Sequence, residues 1–301
     1  MRRVLGIDAG GTKTVALLAD ETGGVVSRAE GGGANLRTHG ELGVEKVLHH
    51  VLEAVEEPGR PRPQALAMGI AGADRPEDEV VLRSILRRLG FREKVVVTND
   101  ARIAFVAGSS ARVGLALVCG TGSIAWGRNA AGAVARSGGW GWHLGDEGSG
   151  FWIGVRAVRE ALRAADGRGP ATRLQALLNA HFDIGTAGEI LRAVYDGEFP
   201  RSRVAAFATR VEEAALGGDP AARGILEAAA QELALAASSV RERLGLASIP
   251  HDVVLSGGTF AAVPTLETAV AERLAMPGAR VVLLREEPAT GAVRLALEAL
   301  S

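Results

Sequence analysis

Cysteine is nearly absent from this chain of 301 residues, and aromatic residues make up only 4% of it. The single cysteine, Cys119, excludes an internal disulfide and cannot supply the four thiolates of an iron–sulfur cluster. The histidines are scattered, without the spacing of a zinc site. A chain without disulfides is typical of a reducing compartment, so we expect a cytoplasmic location.

An excess of charge and a long apolar run are also lacking. The 34 basic and 35 acidic residues give a net charge of −1, without a block of like charges. This balance argues against nucleic acid or an anionic membrane as partner. No uncharged apolar stretch reaches the roughly 18 residues of a membrane span, and Asp8 interrupts the first apolar run too early for a signal peptide.

What the chain does contain is a pattern of short apolar strands and longer helical segments. Apolar runs bounded by glycine predict strands such as "KTVALLAD" and "QALAMGIAG", whereas helical spacing predicts helices over 38–57, 77–89 and 261–275. Residues 151–245 are rich in Ala, Leu, Arg and Glu, with almost no strand signal. The mixture predicts α/β domains with mixed sheets and one helical insertion.

A weak internal repeat suggests two related domains. The stretch "GIDAGGTKTVALLADETGGVVSR" can be laid over "ALVCGTGSIAWGRNAAGAVAR", each giving three strands joined by glycine turns. A chain of this length also favours two domains. We expect a smaller domain over 1–108 and a larger one over 109–287, with a final helix at about 288–301 that packs back on the first.

Three glycine turns follow predicted strands: "DAGGTKT" at 8–14, "CGTGS" at 119–123 and "LSGGTF" at 255–260. Glycine lets backbone N–H groups converge on an anion, and Thr or Ser adds a hydroxyl donor. One such turn could be a plain hairpin, but three favour a nucleotide held between two domains. None fits a GxxxxGK[ST] loop or a GxGxxG motif that opens a helix.

These motifs carry a family resemblance. "GIDAGGTKT" is similar to the phosphate-binding hairpin of the sugar kinase, actin and heat-shock ATPase fold. "TNDA", "CGTGS", "GGWGWHLGDEGSGFWIG" and "LSGGT", in this order, resemble the N-acetylglucosamine kinases of the BadF/BadG/BcrA/BcrD ATPase family. The resemblance implies two ribonuclease H-like domains with an interdomain cleft, and an enzyme that uses ATP and Mg²⁺. A homodimer is kept as an open expectation.

The resemblance also implies roles for the turns and two carboxylates. Asp8, at the end of a strand, would hold Mg²⁺ directly or through water, unless it only forms the turn. Asp100 ends the strand "KVVVTND" and would be the catalytic base, although it could also cap the next helix. The ATP-binding residues implied are Gly10, Gly11, Thr12 and Lys13 in the first turn, Thr121, Gly122 and Ser123 in the second, and Gly257, Gly258 and Thr259 near the adenosine.

The stretch 137–152 combines six glycines with three of the four tryptophans, and it is the specific part of the resemblance. A sugar site needs flat apolar surface, polar partners and an accessible backbone. The sugar-binding residues implied, besides Asp100, are Asn35, Gly139, Trp140, Gly141 and Asp146. We expect Trp126 and Trp152 to be core residues, and Ser149 could cap the following helix.

The implied reaction is phosphorylation of an amino sugar, with N-acetylglucosamine converted to its 6-phosphate. Glucosamine and glucose remain open as substrates. Bacterial glucokinases and their repressor relatives also begin "GIDxGGTKT", but their cysteine-rich zinc site and "ExGH" motif are absent here. An ATPase that activates dehydratases would need more thiolates. An actin-like switch or filament protein would leave the loop with its tryptophans unexplained.

Overall fold

The computed structural model describes residues 2–56, 62–73, 75–92, 94–186, 189–190 and 200–300. The first of its two five-stranded sheets consists of β1 (Arg3–Ala9), β2 (Lys13–Asp20), β3 (Val25–Gly32), β4 (Ala65–Ile70) and β5 (Val95–Thr98). The strand order is β3-β2-β1-β4-β5. Strand β1 is antiparallel to β2 and parallel to β4, so the sheet is mixed, as predicted.

The second sheet repeats this topology. It consists of β6 (Gly114–Cys119), β7 (Ser123–Arg128), β8 (Val134–Gly138), β9 (His251–Ser256) and β10 (Ala279–Leu283). The strand order is β10-β9-β6-β7-β8. Read from β8 to β10, it matches the first sheet read from β3 to β5, with β6, β7 and β8 in the places of β1, β2 and β3. In both sheets a three-stranded meander comes first and two later strands extend the sheet beside its first strand. The repeat predicted from the sequence is therefore present in the fold.

The helices that follow β3, β4 and β5 and flank the first sheet are α1 (Leu36–Val55), α2 (Pro76–Arg88) and α3 (Asp100–Gly108). Helix α1 begins at Leu36, earlier than the predicted Thr38, because the side chain of Asn35 caps it. Helix α2 has Pro76 at its first position and three acidic residues in its first turn, which suit the positive end of the helix dipole.

The predicted helical insertion is confirmed in the described residues, since no strand interrupts 150–245 there. Its helices are α4 (Gly150–Ala165), α5 (Leu174–Phe182), α6 (Arg201–Ala206), α7 (Ala208–Leu216) and α8 (Pro220–Arg243). Helix α8 packs on α7 and on strands β7 and β8. The helix predicted over 261–275 is present, but it begins later than predicted and a separate short helix precedes it. Pro264 lacks an N–H, and it starts α10 (Pro264–Leu274) directly after the short α9 (Gly258–Ala262).

The chain divides into two compact units. The first holds the described residues of Met1–Ala116, Asp252–Val254 and Val282–Ser301, and the second holds those of Leu117–His251 and Leu255–Val281. In the first unit, α1 and α2 cover one face of the sheet, while α3 and α11 (Ala289–Leu300) cover the other. Among the described helices, none has the length and hydropathy that a membrane crossing requires.

Helix α11 lies very close to the first strand of the chain. A Cβ atom on Gly6 would lie 2.4 Å from the backbone nitrogen of Val293, so only glycine allows this approach. The buried side chains of α11 join those of Val4, Val15 and Ile103 in one apolar cluster. The carboxyl-terminal helix is therefore part of the core on which β1 rests.

Candidate active site

The first glycine turn joins β1 to β2 and is open to solvent. The N–H of Gly10 donates to the carbonyl of Lys13 over 2.9 Å, which closes the turn. Residues 11–13 are exposed, and no atom lies within 4 Å of a Cβ position on Gly11. The carbonyl of Gly10 accepts from the N–H of Ala34, which anchors the start of α1 to the turn. The Gly11 backbone is therefore open to an approaching anion.

Asp8 lies one residue before the end of β1, on the strand that leads into this turn. Burial raises the pKa of Asp8 to about 7, and the negative charge of Asp100 is the second cause of the increase. The positive charge of Lys13 acts in the opposite direction. No described residue donates a hydrogen bond to its carboxylate. A carboxylate that is desolvated and lacks a donor is a poor structural element and a suitable ligand for a cation.

Magnesium fits this donor set. Within the described ranges, no group of three or more His, Cys, Asp and Glu is placed to hold a metal ion. Mg²⁺ usually keeps several waters and binds one or two carboxylates together with substrate phosphates, so it does not require such a group. Zinc and iron sites usually do require it, and magnesium at Asp8 stays a prediction.

Asp100 is the first residue of α3, and its carboxylate is close enough to Asp8 to raise that residue's pKa. The alternative that Asp100 caps this helix was wrong. The cap is Asn99, whose Oδ1 accepts from the N–H of Arg102 at 2.8 Å. Asp100 is half-buried, and its Oδ1 accepts from the N–H of Ala101 at 2.9 Å. The helix start therefore holds Asp100 beside Asp8 without using it as the cap.

Asn35 is positioned by the same end of the first sheet. Its Oδ1 accepts from the N–H of Arg37 at 2.9 Å, and its amide lies against Gly72, where a Cβ would be 3.0 Å away. Gly72 follows β4 and has a φ of +79°, a conformation that favours glycine. The first unit therefore brings together three of the predicted groups: the metal carboxylate, the base and the sugar-binding amide.

The second glycine turn joins β6 to β7 and is fastened from three sides. The carbonyl of Gly120 accepts from the N–H of Gly150 at 2.9 Å and from Oγ1 of Thr259 at 2.8 Å. Ser123 donates its hydroxyl to the carbonyl of Glu147 at 2.8 Å. A Cβ on Gly257 would lie 2.2 Å from the carbonyl oxygen of Cys119, so the third glycine turn lies against the second.

Three predicted groups of residues therefore meet within the second unit: the turn at 120–123, the turn at 257–259 and the loop at 137–150. The hydroxyl of Thr259 is used to hold the carbonyl of Gly120, and the residue is only 8% exposed. Ser149 caps α4 by accepting from the N–H of Trp152, as predicted. Trp126 is buried as predicted, but Trp152 is only half-buried, and the guanidinium of Arg156 lies 3.9 Å from its ring centre.

The loop at 137–150 presents its tryptophans to solvent. Trp140 is 63% exposed, and the guanidinium of Arg136 lies 4.3 Å from its ring centre. Trp142 packs edge-on against Phe151. The glycines with positive φ that allow this path are Gly138, Gly139, Gly141 and Gly148. Large rings left in water on a backbone rich in glycine fit a ligand surface better than a core.

Asp146 is the buried carboxylate of this loop. It is 8% exposed and adopts a φ of +57°, which is uncommon for a residue with a side chain. Burial raises its pKa, although backbone hydrogen bonds from Ser123 and Gly141 oppose the shift. A Cβ on Gly122 would lie 2.8 Å from its Oδ2, so the carboxylate rests against the second glycine turn. Asp146 is thus held at the turn rather than at the loop surface.

Sequence reasoning missed two contributions from distant parts of the chain. Glu287, just before α11, receives hydrogen bonds from Arg28 of 2.7–3.2 Å, and its charge helps to raise the pKa of Asp8. Helix α8 lines a cavity beside the loop with Glu232 and Leu235. Neither contribution has a local signal, because Glu287 is an isolated charge and Glu232 lies in an ordinary helical pattern.

Comparisons with known proteins show the family and the fold of this chain. Residues 5–296 match the model of the BadF/BadG/BcrA/BcrD ATPase family. An N-acetylmuramic acid/N-acetylglucosamine kinase of Clostridium acetobutylicum is 32% identical over 98% of each chain. An N-acetyl-D-glucosamine kinase of Dictyostelium discoideum is 30% identical over 97% of each. The structure of a candidate N-acetylglucosamine kinase from Chromobacterium violaceum has a TM-score of 0.75 and 25% identity, and covers 98% of this chain and 99% of that one. The predicted fold class and resemblance are confirmed.

Proposed function

The chain belongs to the BadF/BadG/BcrA/BcrD ATPase family, and we propose that it is the kinase that transfers phosphate from ATP to O6 of N-acetylglucosamine. The two relatives that match nearly its whole length are both named for N-acetylglucosamine. The observation that carries the proposal is the pairing of Asp8 with Asp100 beside an open glycine turn. Phosphoryl transfer needs a metal site, phosphate donors and a base, and the first unit offers all three.

We propose that Asp100 is the base. Its carboxylate accepts the proton of the sugar hydroxyl while the hydroxyl oxygen bonds to the γ-phosphorus and the bond from that phosphorus to ADP breaks. Being half-buried, Asp100 is reachable from solvent, and its helix start holds it in one position. Asn35 would orient the sugar by hydrogen bonds from its side-chain amide.

The ATP contacts are proposed for three turns. Gly10, Gly11, Thr12 and Lys13 would hold the β- and γ-phosphates, with the exposed Gly11 backbone as the main support for this assignment. Thr121, Gly122 and Ser123 would form a second phosphate clamp, and Gly257, Gly258 and Thr259 would contact the adenosine. Asp8 would hold Mg²⁺, which supplies neutralisation of phosphate charge when bound.

The sugar surface is proposed for the loop at 137–150. Trp140 would lie along the apolar face of the ring, with the backbone of Gly139 and Gly141 beside it and Asp146 as a hydrogen-bond acceptor. The exposure of Trp140 and the inward carboxylate of Asp146 support this assignment. A cytoplasmic location is supported by the one buried, unpaired cysteine, and a homodimer stays a prediction.

The decisive experiment measures ADP formation with a panel of hexoses and amino sugars. We expect turnover to require a sugar and to be fastest with N-acetylglucosamine, ahead of glucosamine and glucose. Phosphorus NMR of the product should show the ester at C6. Equal ADP formation with and without any sugar would contradict the kinase proposal and favour an ATPase.

A further inference from the structure

A cavity of about 270 Å³ lies in the second unit between the tryptophan loop and helix α8. Trp140 and Glu147 line it from the loop, and Glu232 and Leu235 line it from the helix. Because α8 packs directly on β7 and β8, the helix side of the cavity is fixed by the sheet. The cavity is therefore bounded by one rigid wall and by the loop that we propose as the sugar surface.

The lining combines an aromatic ring with two carboxylates and with the hydroxyl-bearing residues Ser123 and Ser137. Such a lining suits a sugar, whose ring has apolar faces and whose hydroxyls and amide N–H donate to carboxylate oxygens. The hydroxyl of Ser123 is already used, since it donates to the carbonyl of Glu147. The two carboxylates are then the main acceptors that a bound group would meet.

The described residues that line the cavity include two glutamates and no cationic side chain. Glu232 has no ion pair or hydrogen bond with any other residue of the described ranges. The guanidinium of Arg136 lies over the ring of Trp140 and donates to the carbonyl of Gly138 at 2.9 Å, and it does not line the cavity. A carboxylate brought into this space would be the third, and it would meet two like charges and no lining cation among the described residues.

We propose that this cavity receives a substituent of the sugar ring and that Glu232 selects against substituents that carry a carboxylate. The inference rests on the proposed function. N-acetylmuramic acid is N-acetylglucosamine with a lactyl ether, and hence a carboxylate, on O3. This chain therefore prefers N-acetylglucosamine, which is neutral, over N-acetylmuramic acid, because the negative charge of Glu232 repels the lactyl carboxylate.

Glu232 is a better test position than Glu147. Glu147 adjoins Asp146, and its carbonyl holds Ser123, so its replacement could disturb the loop. Glu232 lies on the long helix α8 and makes no ion pair or hydrogen bond with another described residue. Glu232→Gln keeps the shape of the side chain and removes its charge. The matched control is Glu242→Gln, which changes an exposed glutamate of the same helix outside the cavity.

The experiment compares kcat/KM for N-acetylglucosamine and for N-acetylmuramic acid. In the wild type we expect a clear preference for N-acetylglucosamine. Glu232→Gln should reduce this preference by about tenfold, mainly through a lower KM for the acidic sugar, and Glu232→Lys should reduce it further. Glu242→Gln should retain the wild-type preference.

Binding without ATP gives an independent measurement through the fluorescence of Trp140. Raising the salt concentration should tighten binding of N-acetylmuramic acid to the wild type but not to Glu232→Gln, since salt screens the repulsion. Affinity for N-acetylglucosamine should be insensitive to salt in both proteins.

The outcomes separate the two proposals. If none of the sugars is bound or phosphorylated, the proposed function falls and the inference falls with it. If N-acetylglucosamine is phosphorylated but the wild type shows no preference, or Glu232→Gln and Glu232→Lys leave the preference unchanged, only the role of Glu232 is overturned.

Discussion

The two glycine turns that head the two meanders are alike in backbone and different in surroundings. In each, a glycine N–H closes the turn, and the carbonyl of that glycine accepts from the start of the helix that follows the meander. In the first unit, three residues separate β3 from α1. In the second, eleven residues, from Gly139 to Ser149, separate β8 from α4. The connection from the meander to the next helix is thus longer in the second unit, and it carries the exposed tryptophans.

The source of the buried carboxylate differs in the same way. In the first unit Asp8 belongs to the strand that leads into the turn, whereas Val118 occupies the corresponding place in β6. In the second unit Asp146 arrives from the long loop and rests against Gly122. In the proposed function, the first turn would serve phosphate and metal, and the second would join a phosphate clamp to the sugar surface.

The largest effect should follow from Asp100→Asn, which keeps the shape of the first unit's proposed base but cannot take a proton. We expect sugar-dependent turnover to fall by roughly 10²-fold or more, with ATP affinity nearly unchanged. Stopped assays of ADP release and ATP titration measure the two quantities. The matched control is Asp166→Asn, an exposed residue at the end of α4. Turnover close to wild type in Asp100→Asn would contradict the proposal that Asp100 is the base.

Trp140 and Trp126 allow a comparison, within the second unit, of a proposed ligand surface with the core. Trp140 is 63% exposed and Trp126 is 7% exposed. Trp140→Ala should weaken sugar binding by roughly tenfold while leaving the midpoint of thermal unfolding unchanged. Trp126→Ala should cost about 3–5 kcal/mol of folding free energy. Calorimetry measures the stability of each variant, and sugar titration measures its affinity. If Trp140→Ala is unfolded, Trp140 has a structural role and is not part of a ligand surface.

Gly11 and Gly122 test the difference between the turns directly. A Cβ on Gly122 would lie 2.8 Å from Asp146 Oδ2, so Gly122→Ala should displace that carboxylate, cost about 1–3 kcal/mol and raise the KM for the sugar. Around Gly11 the space is open, so Gly11→Ala should leave stability unchanged and raise the KM for ATP. Equal stability losses in both variants would show that the turns are not different in this respect.

The last prediction concerns the pH dependence of stability. The pKa of Asp8 rises from 3.8 to about 7 on folding, so the folded state binds the proton more tightly than the unfolded state. The resulting stability is present below about pH 4 and is lost as the pH rises to about 7. In EDTA, Asp8→Asn should therefore gain more in unfolding temperature over the wild type at pH 8 than at pH 5. An equal gain at both pH values would contradict the shift.

Much of the fold was predictable because periodicity and glycine turns are local signals. Strand β2 was predicted with its observed bounds. The internal sequence repeat predicted the three-stranded meander that begins each sheet. The errors have local physical causes: the amide of Asn35 starts α1 early, and Pro264 starts α10 later than predicted.

The turns and the loop of the candidate site were also found from the sequence, since they combine glycine with polar residues. Glu287 and Glu232 were not. Glu287 is paired with Arg28, 259 positions away, and Glu232 faces the loop only because α8 packs on the second sheet. Their place depends on tertiary packing, which no single segment of sequence specifies.

The contact of β1 with α11 has a consequence for biosynthesis. Strand β1 precedes helix α11 by nearly the whole of this sequence, so it is translated long before the helix that packs on it. Until α11 is translated, one face of the first sheet lacks the helix that covers Gly6 and Val4. Domains commonly fold in order from the amino terminus during synthesis. The first unit departs from that order in one respect, because this face of its sheet stays uncovered until α11 has been synthesised.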